Sequence, residues 1–467
     1  MYMRTPILTI VLGMALGAAA QNSQGGISPE MLQQIRQQHT PTAADRAVRN
    51  AVAANAIDQL ARNQANAGAV DTHFSVETLQ QSITDQKSSG RCWMFSGLNV
   101  LRADFARRTD SLRVSFSHDY LFFWDQLEKA NLMLQGIVET GRRPIDDERV
   151  RFLLRNPLGD GGTYCGVADL AEKYGLVPAE VQPETYSAEN TSRMSALIKS
   201  KLREQALELR GMVAGGRKGR EIEQRKTEML GEIYRMLAVA LGEPVREFTY
   251  AFRNKSGRAV GPARRYTPQT FYDETVGRKL NGTFLMVMND PRRPYHKTYE
   301  VEMDRHLWDG HNWKYLNLPM DEIEQLAIAS LRDGRKLYSS YDVGKQLDRK
   351  RGYCDTENFD YASLMGTTFR MEKADRIATF DSGSTHAMTL TAVDLDAEGR
   401  PLKWKVENSW GADWGQKGCL VMTARWFREY MFRLVVDKQY ANEKLLLEYE
   451  QQPTIVGPED PLFMPDE

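Results

Sequence analysis

Two short stretches, far apart in the chain, carry side chains that could break an acyl bond together. In Gln86-Lys87-Ser88-Ser89-Gly90-Arg91-Cys92-Trp93-Met94-Phe95-Ser96 a glycine turn leads into Cys92, and the apolar Trp93, Phe95, Leu98, Val100 and Leu101 that follow suit a buried helix. Cys92 then stands at a helix N-terminus. There the positive end of the macrodipole and the backbone N–H groups favour a thiolate, the nucleophilic form of cysteine. Taken alone, a cysteine ahead of an apolar helix is more often a small core residue, so the chemistry needs a base.

Seven histidines are available: His39, His73, His118, His296, His306, His311 and His386. Only His386 opens an expected core strand with an amide residue placed to orient its ring. Residues 385–393 and 402–406 alternate and are β-rich, and the polar 394–401 between them reads as the turn of one antiparallel hairpin. In a hairpin of simple register, His386 and Asn408 mirror about residue 397, the middle of that turn. Directly opposed side chains have Cβ atoms about 5 Å apart. An amide oxygen accepting the ring N–H would fix the tautomer and leave the other nitrogen for Cys92, as Cys-His-Asn catalysis requires. The hairpin alone leaves a pair of satisfied polar residues at a sheet edge equally open.

The elements that must hold these residues belong to a chain of 467 residues, 42% hydrophobic and 26% charged, a composition far from disordered or collagen-like sequences. Lys plus Arg number 61 against 62 Asp plus Glu, so the net charge of −1 supplies no global field for nucleic acid or an anionic membrane. Residues 1–20 combine Arg4, an apolar run over 7–16 and Ala18-Ala19-Ala20 before Gln21, the pattern of a secretory signal peptide. The expectation is an exported protein, periplasmic or extracellular. No later stretch reaches the roughly 18 apolar residues of a membrane helix, so no span is expected in the mature protein. Cys92, Cys165, Cys354 and Cys419 are too dispersed for a disulfide framework or a C-x-x-C zinc site.

Residues 21–70 form an N-terminal helical segment, with a helix expected near 42–63. The Cys-bearing helical part covers 71–190, and 191–330 is a helical insertion with its connector. Within it, two helical runs flank Gly215-Gly216-Arg217-Lys218-Gly219, and residues 192–242 hold eleven Lys/Arg against six Asp/Glu. A solvated arm or subunit contact fits this charge better than a nucleic-acid-binding arm. Strand patterning begins beyond about Asp290, and 331–450 is the His/Asn-bearing β part. Residues 451–467 are acidic, and Pro453, Pro458, Pro461 and Pro465 make them an extended tail.

Gln86, the stretch from Ser89 to Trp93, Thr385-His386-Ala387-Met388 and Val406-Glu407-Asn408-Ser409-Trp410-Gly411 resemble the four active-site blocks of papain-like cysteine peptidases, in their bleomycin hydrolase/aminopeptidase C branch. Further segments, among them Ser117-His118-Asp119-Tyr120, Lys173-Tyr174-Gly175 and Asn289-Asp290-Pro291, match in the same order. The resemblance implies a papain-like α+β fold with a helical insertion and a C-terminal tail, hydrolysing peptide bonds without metal or organic cofactor. Catalytic His commonly follows Cys by about 130–150 residues in such enzymes. Here the separation is 294 positions, and the insertion supplies the extra length.

By position, the resemblance makes Cys92 the nucleophile, His386 the base, Asn408 its orienting group and Gln86 an oxyanion donor. Trp410 would shield the His-Asn pair, and Asp160-Gly161-Gly162 would line the substrate backbone. It also implies a homohexamer acting on peptides, with the tail in the cleft. Glu467, together with Asp466 and the α-carboxylate, would then meet the substrate amino group and impose aminopeptidase action. Departures exist: Ser89, Tyr164, Cys165 and Glu459 replace the Cys, Trp, Asp and Trp usual at those positions. Competing readings are an endopeptidase or acyl transferase on the same fold, and more remotely a nucleic-acid-binding protein.

Overall fold

The computed structural model describes residues 25–109 and 112–463. The expected leader at 1–20, and Asp466 and Glu467 at the other end, lie outside the described residues.

The helix after the glycine turn runs Cys92–Arg108. Its apolar side chains are spread around the helix rather than along one stripe, a pattern that requires burial on all sides. Trp93, Met94, Phe95, Leu98, Leu101 and Phe105 are indeed all buried. The helix Tyr164–Tyr174 packs against it and against the long helix His118–Glu139, which Ser117 caps by accepting from the Tyr120 N–H.

The basic segment is a helical hairpin, Ser192–Ala214 and Gly219–Leu241, turning through Gly216 at φ +72°. It does not project as an arm. Ile198, Leu202 and Leu209 on one helix and Met229, Ile233 and Leu237 on the other are fully buried, and both helices lie on His118–Glu139. An apolar stripe of that width has to be covered, and the nearest cover is the body of the protein. Several of its cations are paired: Arg225 meets Glu208 at 2.6 Å, Lys201 meets Glu232 at 2.9 Å, and Arg210 donates to the carbonyls of Thr140 and Arg143.

The single N-terminal helix expected near 42–63 is broken. Thr42 caps Ala43–Ala54 in a reciprocal box with Asp45. At Asn55 the backbone turns extended and its side chain bonds back to the Ala51 carbonyl at 2.9 Å, and a short helix Ile57–Ala61 follows. Asparagine competes for helix carbonyls in this way, which is why helical spacing ran past the true end.

The other layer is a twelve-stranded mixed sheet. Its strand His386–Leu395 runs antiparallel to both Leu337–Tyr341 and Pro401–Glu407. Beyond Leu337–Tyr341 lie Met431–Asp437 and then Phe284–Met288. Strands therefore begin before Asp290, and a boundary at 330/331 cuts through one sheet. Phe284–Met288 is a short continuous apolar run, which periodicity cannot tell from buried helix.

The hairpin register also departs from the simple mirror. Thr389 faces Glu407 and Leu390 faces Val406, a bulge before Ala392 shifts the ladder, and Val393 then faces Trp404. A second shift at Asp394/Leu395 cancels the first, since an extra residue on each strand restores the pairing, and Leu395 facing Pro401 already centres the hairpin near residue 398 rather than 397. His386 faces Tyr341 across the other ladder instead of Asn408. At the C-terminal end, Thr454–Val456 joins the sheet beside Lys297–Val301 as its outermost strand, where the neighbouring Pro453 interrupts no central ladder.

Candidate active site

The site forms where two apolar clusters adjoin, one among the helices that Cys92 borders and one around the sheet that Trp410 borders. No side chain caps the first turn of Cys92–Arg108, so the helix presents its positive end without a competing carboxylate or hydroxyl. Cys92 is partly exposed, and its Sγ accepts from the Ala387 N–H at 3.4 Å. That contact places the sulfur at the start of the strand that His386 opens.

Asn408 Oδ1 lies 2.8 Å from His386 Nε2 and also accepts from the Ser409 N–H at 2.8 Å. An amide oxygen can only accept, so Nε2 carries the hydrogen and Nδ1 holds the lone pair. The two residues meet although the ladder does not oppose them. Continuing the register past Thr389–Glu407 would set Asn408 opposite Met388, one pleat from His386, and diagonal neighbours on one face stay within reach of long side chains. The Trp410 ring lies 4.9 Å from the imidazole. Burial pushes the His386 pKa down to about 4, against a smaller upward pull from the Asn408 bond. An imidazolium there needs a neighbouring negative charge, and a Cys92 thiolate would supply it.

Gln86 is buried and held at both ends of its amide: Oε1 accepts from Ser409 Oγ at 2.6 Å and Nε2 donates to the Ser89 carbonyl at 2.6 Å. The amide nitrogen keeps a second hydrogen, and Ser89, through its carbonyl, becomes the clamp that orients it.

Asp160, Gly161 and Gly162 reach the same corner, with the Asp160 side chain and the carbonyls of Asp160 and Gly161 already engaged. The Asp160 carboxylate accepts from Thr191, from Ser195 Oγ at 3.2 Å and from the Gly90 N–H at 3.3 Å, while its carbonyl accepts from the Trp93 indole at 2.7 Å. The Gly161 carbonyl accepts from Lys129 Nζ at 2.7 Å. A Cβ on Gly162 would fall 2.1 Å from His306 Cε1 and 2.8 Å from the Trp93 ring, so the glycine is required by packing on the side away from solvent. His306 cannot yield: its Nδ1–H donates to buried Asp125 at 2.5 Å, and its Nε2 accepts from the Thr163 N–H at 3.3 Å. Sequence reading passed over His306 because its partner lies 181 residues away; the local signal was Asp125 and Lys129, paired four apart on one helix.

Tyr164 and Cys165 turn into the core, where burial drives the pKa of both groups well up. None of the four cysteines forms a disulfide. Among the described residues no group of three or more His, Cys, Asp or Glu is arranged to hold a metal ion.

The described tail runs to this region. Asp460 is clamped by Arg292 at 2.9 Å and Arg293 at 2.7 Å, and the Leu462 carbonyl accepts from Arg433 at 2.8 Å. Phe463 stacks on Tyr315, under the Arg433 guanidinium. A Cβ on Gly383, three residues before His386, would sit 3.3 Å from the Pro461 carbonyl. The tail thus passes beside the loop that delivers the imidazole.

Residues 26–463 match the model of the Peptidase C1-like family. The chain belongs to that family. It is 36% identical over 442 residues to aminopeptidase C of Streptococcus thermophilus, covering 93% of this chain and 98% of the relative. Human bleomycin hydrolase is 40% identical over 390 residues, covering 81% and 85%. Among solved structures, PepW from Lactobacillus rhamnosis HN001 superposes with a TM-score of 0.90 at 36% identity, over 95% of this chain and all of that one. The papain-like α+β fold and the bleomycin hydrolase/aminopeptidase C resemblance both stand on these matches.

Proposed function

We propose that this family member is a cysteine aminopeptidase in which Cys92 attacks the scissile carbonyl and a thioester links substrate to enzyme until water releases it. The observation that carries the assignment is the His386–Asn408 bond at 2.8 Å, at the strand end where the Ala387 N–H meets Cys92 Sγ. His386 accepts the thiol proton and returns it to the leaving amine. Asn408 holds the ring in the tautomer that needs this, and Trp410 keeps water from the pair. The second Gln86 amide hydrogen and the Cys92 backbone N–H stabilise the oxyanion, with one such donor contributing roughly 3–4 kcal/mol. Asp160, Gly161 and Gly162 form the wall along which substrate backbone lies.

Exopeptidase action is assigned to the tail. Anchored at Asp460 and Leu462, it passes at Pro461 beside the loop before His386, and the sequence after Phe463 contains Asp466 and Glu467. Negative charge there favours a cationic substrate N-terminus and excludes longer chains. Self-association as a homohexamer follows the branch, with the hairpin a contact candidate because Leu197, Leu207 and Val239 stay exposed on it. The leader pattern supports an exported, periplasmic or extracellular enzyme, and no helix among the described residues is long and apolar enough to cross a membrane.

Matched peptides with free and blocked N-termini test the assignment, on the full-length enzyme and on one ending at Leu462. Full-length protein should cleave the free form far faster, and truncation should narrow the ratio while hydrolysis persists. Equal ratios for both proteins would remove the tail's gating role.

A further inference from the structure

Among the polar contacts that tie the Cys92–Arg108 helix to the His386 hairpin, three bear on the site. Two are neutral: the Ala387 N–H to Cys92 Sγ at 3.4 Å and Thr389 Oγ1 to the Ser96 carbonyl at 3.4 Å. The third is ionic, from Arg102 Nη2 to Glu407 Oε1 at 2.8 Å. The other carboxylate oxygen of Glu407 takes Lys336 Nζ at 2.6 Å. All three charged residues are buried, with 4%, 3% and 5% of their surfaces exposed for Arg102, Glu407 and Lys336. Each oxygen therefore serves a different element. Arg102 stands on the helix that begins at Cys92, Glu407 directly precedes Asn408, and Lys336 directly precedes the strand in which Tyr341 faces His386. Ser82 fixes Arg102 in turn, accepting at its carbonyl at 2.6 Å.

A buried ion pair is poor support for stability, since apolar residues of similar volume often pack as well. What a carboxylate adds is direction: short, charge-assisted bonds with fixed geometry to two partners. We infer that Glu407 is a positioning residue for the reaction, setting the height of Cys92 on its helix against the His386–Asn408 pair through Arg102 and Lys336. The inference rests on the assignment of Cys92 and His386 above. Beyond Arg102, Glu407 and Lys336, the charged and titratable neighbours are Arg113, which acts on Arg102, and Glu77, Lys405, Lys417 and the Cys419 thiol, which with Lys336 and Glu407 line a cavity of about 130 Å³. Glu77 and Lys405 pair with each other at 2.6 Å, and Glu407 is the carboxylate in direct contact with both Arg102 and Lys336.

The test is Glu407→Gln, read by kcat and KM on a peptide with a free N-terminus and by the rate of Cys92 alkylation with iodoacetamide from pH 4 to 9. A nucleophile displaced by about 1 Å costs on the order of 100-fold in rate. The expected result is a fall of about tenfold or more in kcat, KM within about twofold, and an alkylation profile moved to higher pH as the thiolate loses its imidazolium. A lower melting temperature with unchanged kcat and profile would show a merely structural ion pair and overturn the inference. Should Glu407→Gln not fold, Glu407→Asp and Arg102→Lys, which keep the charges and change the reach, carry the same readouts. If both fold with wild-type kcat and profile, the inference is overturned. Hydrolysis by wild-type enzyme that survives complete Cys92 alkylation would instead remove the nucleophile assignment, and this inference with it.

Discussion

Nε2 of His386 lies 2.8 Å from Asn408 Oδ1, under the Trp410 ring at 4.9 Å, so the imidazole is held by one amide oxygen inside a largely apolar enclosure. The bond selects the tautomer with its lone pair on Nδ1. Asn408→Ala leaves the ring free to turn or to take the other tautomer. Its kcat should fall roughly 10- to 100-fold with KM little changed, the signature of lost orientation rather than lost binding. Steady-state kinetics on a free-N-terminal peptide, with KM rising and kcat constant, would contradict this.

Burial sets the acid side of the His386 titration. With Cys92 replaced by alanine no thiolate can offset the burial, and the ring should titrate near the depressed value of about 4, as followed by ring-proton NMR. A folded-state pKa below the ordinary 6.5 means that the unfolded chain takes up the proton first as pH falls. Cys92→Ala should therefore lose stability from about pH 6.5 to 4, by on the order of 3 kcal/mol, relative to the same protein carrying His386→Phe. Parallel stability curves for the two proteins over that range would refute the burial argument.

Gly162 is a packing requirement. A methyl group there would meet His306 and Trp93 below any normal contact distance, and His306 is pinned by Asp125 and the Thr163 N–H. Overpacking of this kind costs about 1–3 kcal/mol. Gly162→Ala should lower the thermal midpoint by several degrees, and a midpoint equal to wild type would show that the His306 network can shift.

Much of the site was legible because its determinants are local. A glycine turn before an apolar run marks a helix start at Cys92, and a β-rich run after Thr385 marks the strand that carries His386. The register was not legible. The hairpin turns about residue 398 rather than 397, and its two register shifts, at Leu390/Ala392 and at Asp394/Leu395, cancel, so His386 and Asn408 meet diagonally, and nothing in the spacing announces where the turn is centred. The long-range polar clamps were equally hidden: Arg102 and Glu407 are 305 positions apart, and Arg292 and Asp460 are 168 apart. Such pairs are selected by the finished fold. The broken N-terminal helix had a local cause in Asn55, a residue whose side chain competes for backbone groups.

Asp460 should control the end specificity without touching the chemistry. Burial alone would raise its pKa, but the guanidinium groups of Arg292 and Arg293 outweigh that and hold it below the usual carboxylate value. Asp460→Ala removes the anchor while Asp290 still pairs both arginines. The ratio of free to blocked N-terminal cleavage should drop several-fold, with kcat on the free substrate within about twofold. An unchanged ratio would place the control of specificity elsewhere.

Everything in the mechanism depends on one sulfur. Burial raises the pKa of Cys165 and Cys354 far above ordinary thiols and that of Cys419 to about 11, so limited alkylation near neutral pH should modify Cys92 first. The decisive measurement is peptide hydrolysis against the fraction of Cys92 alkylated, with the site verified by peptide mass spectrometry. Activity should fall in proportion to Cys92 modification and reach zero at one equivalent. Hydrolysis persisting when Cys92 is fully alkylated would contradict the thiolate mechanism outright.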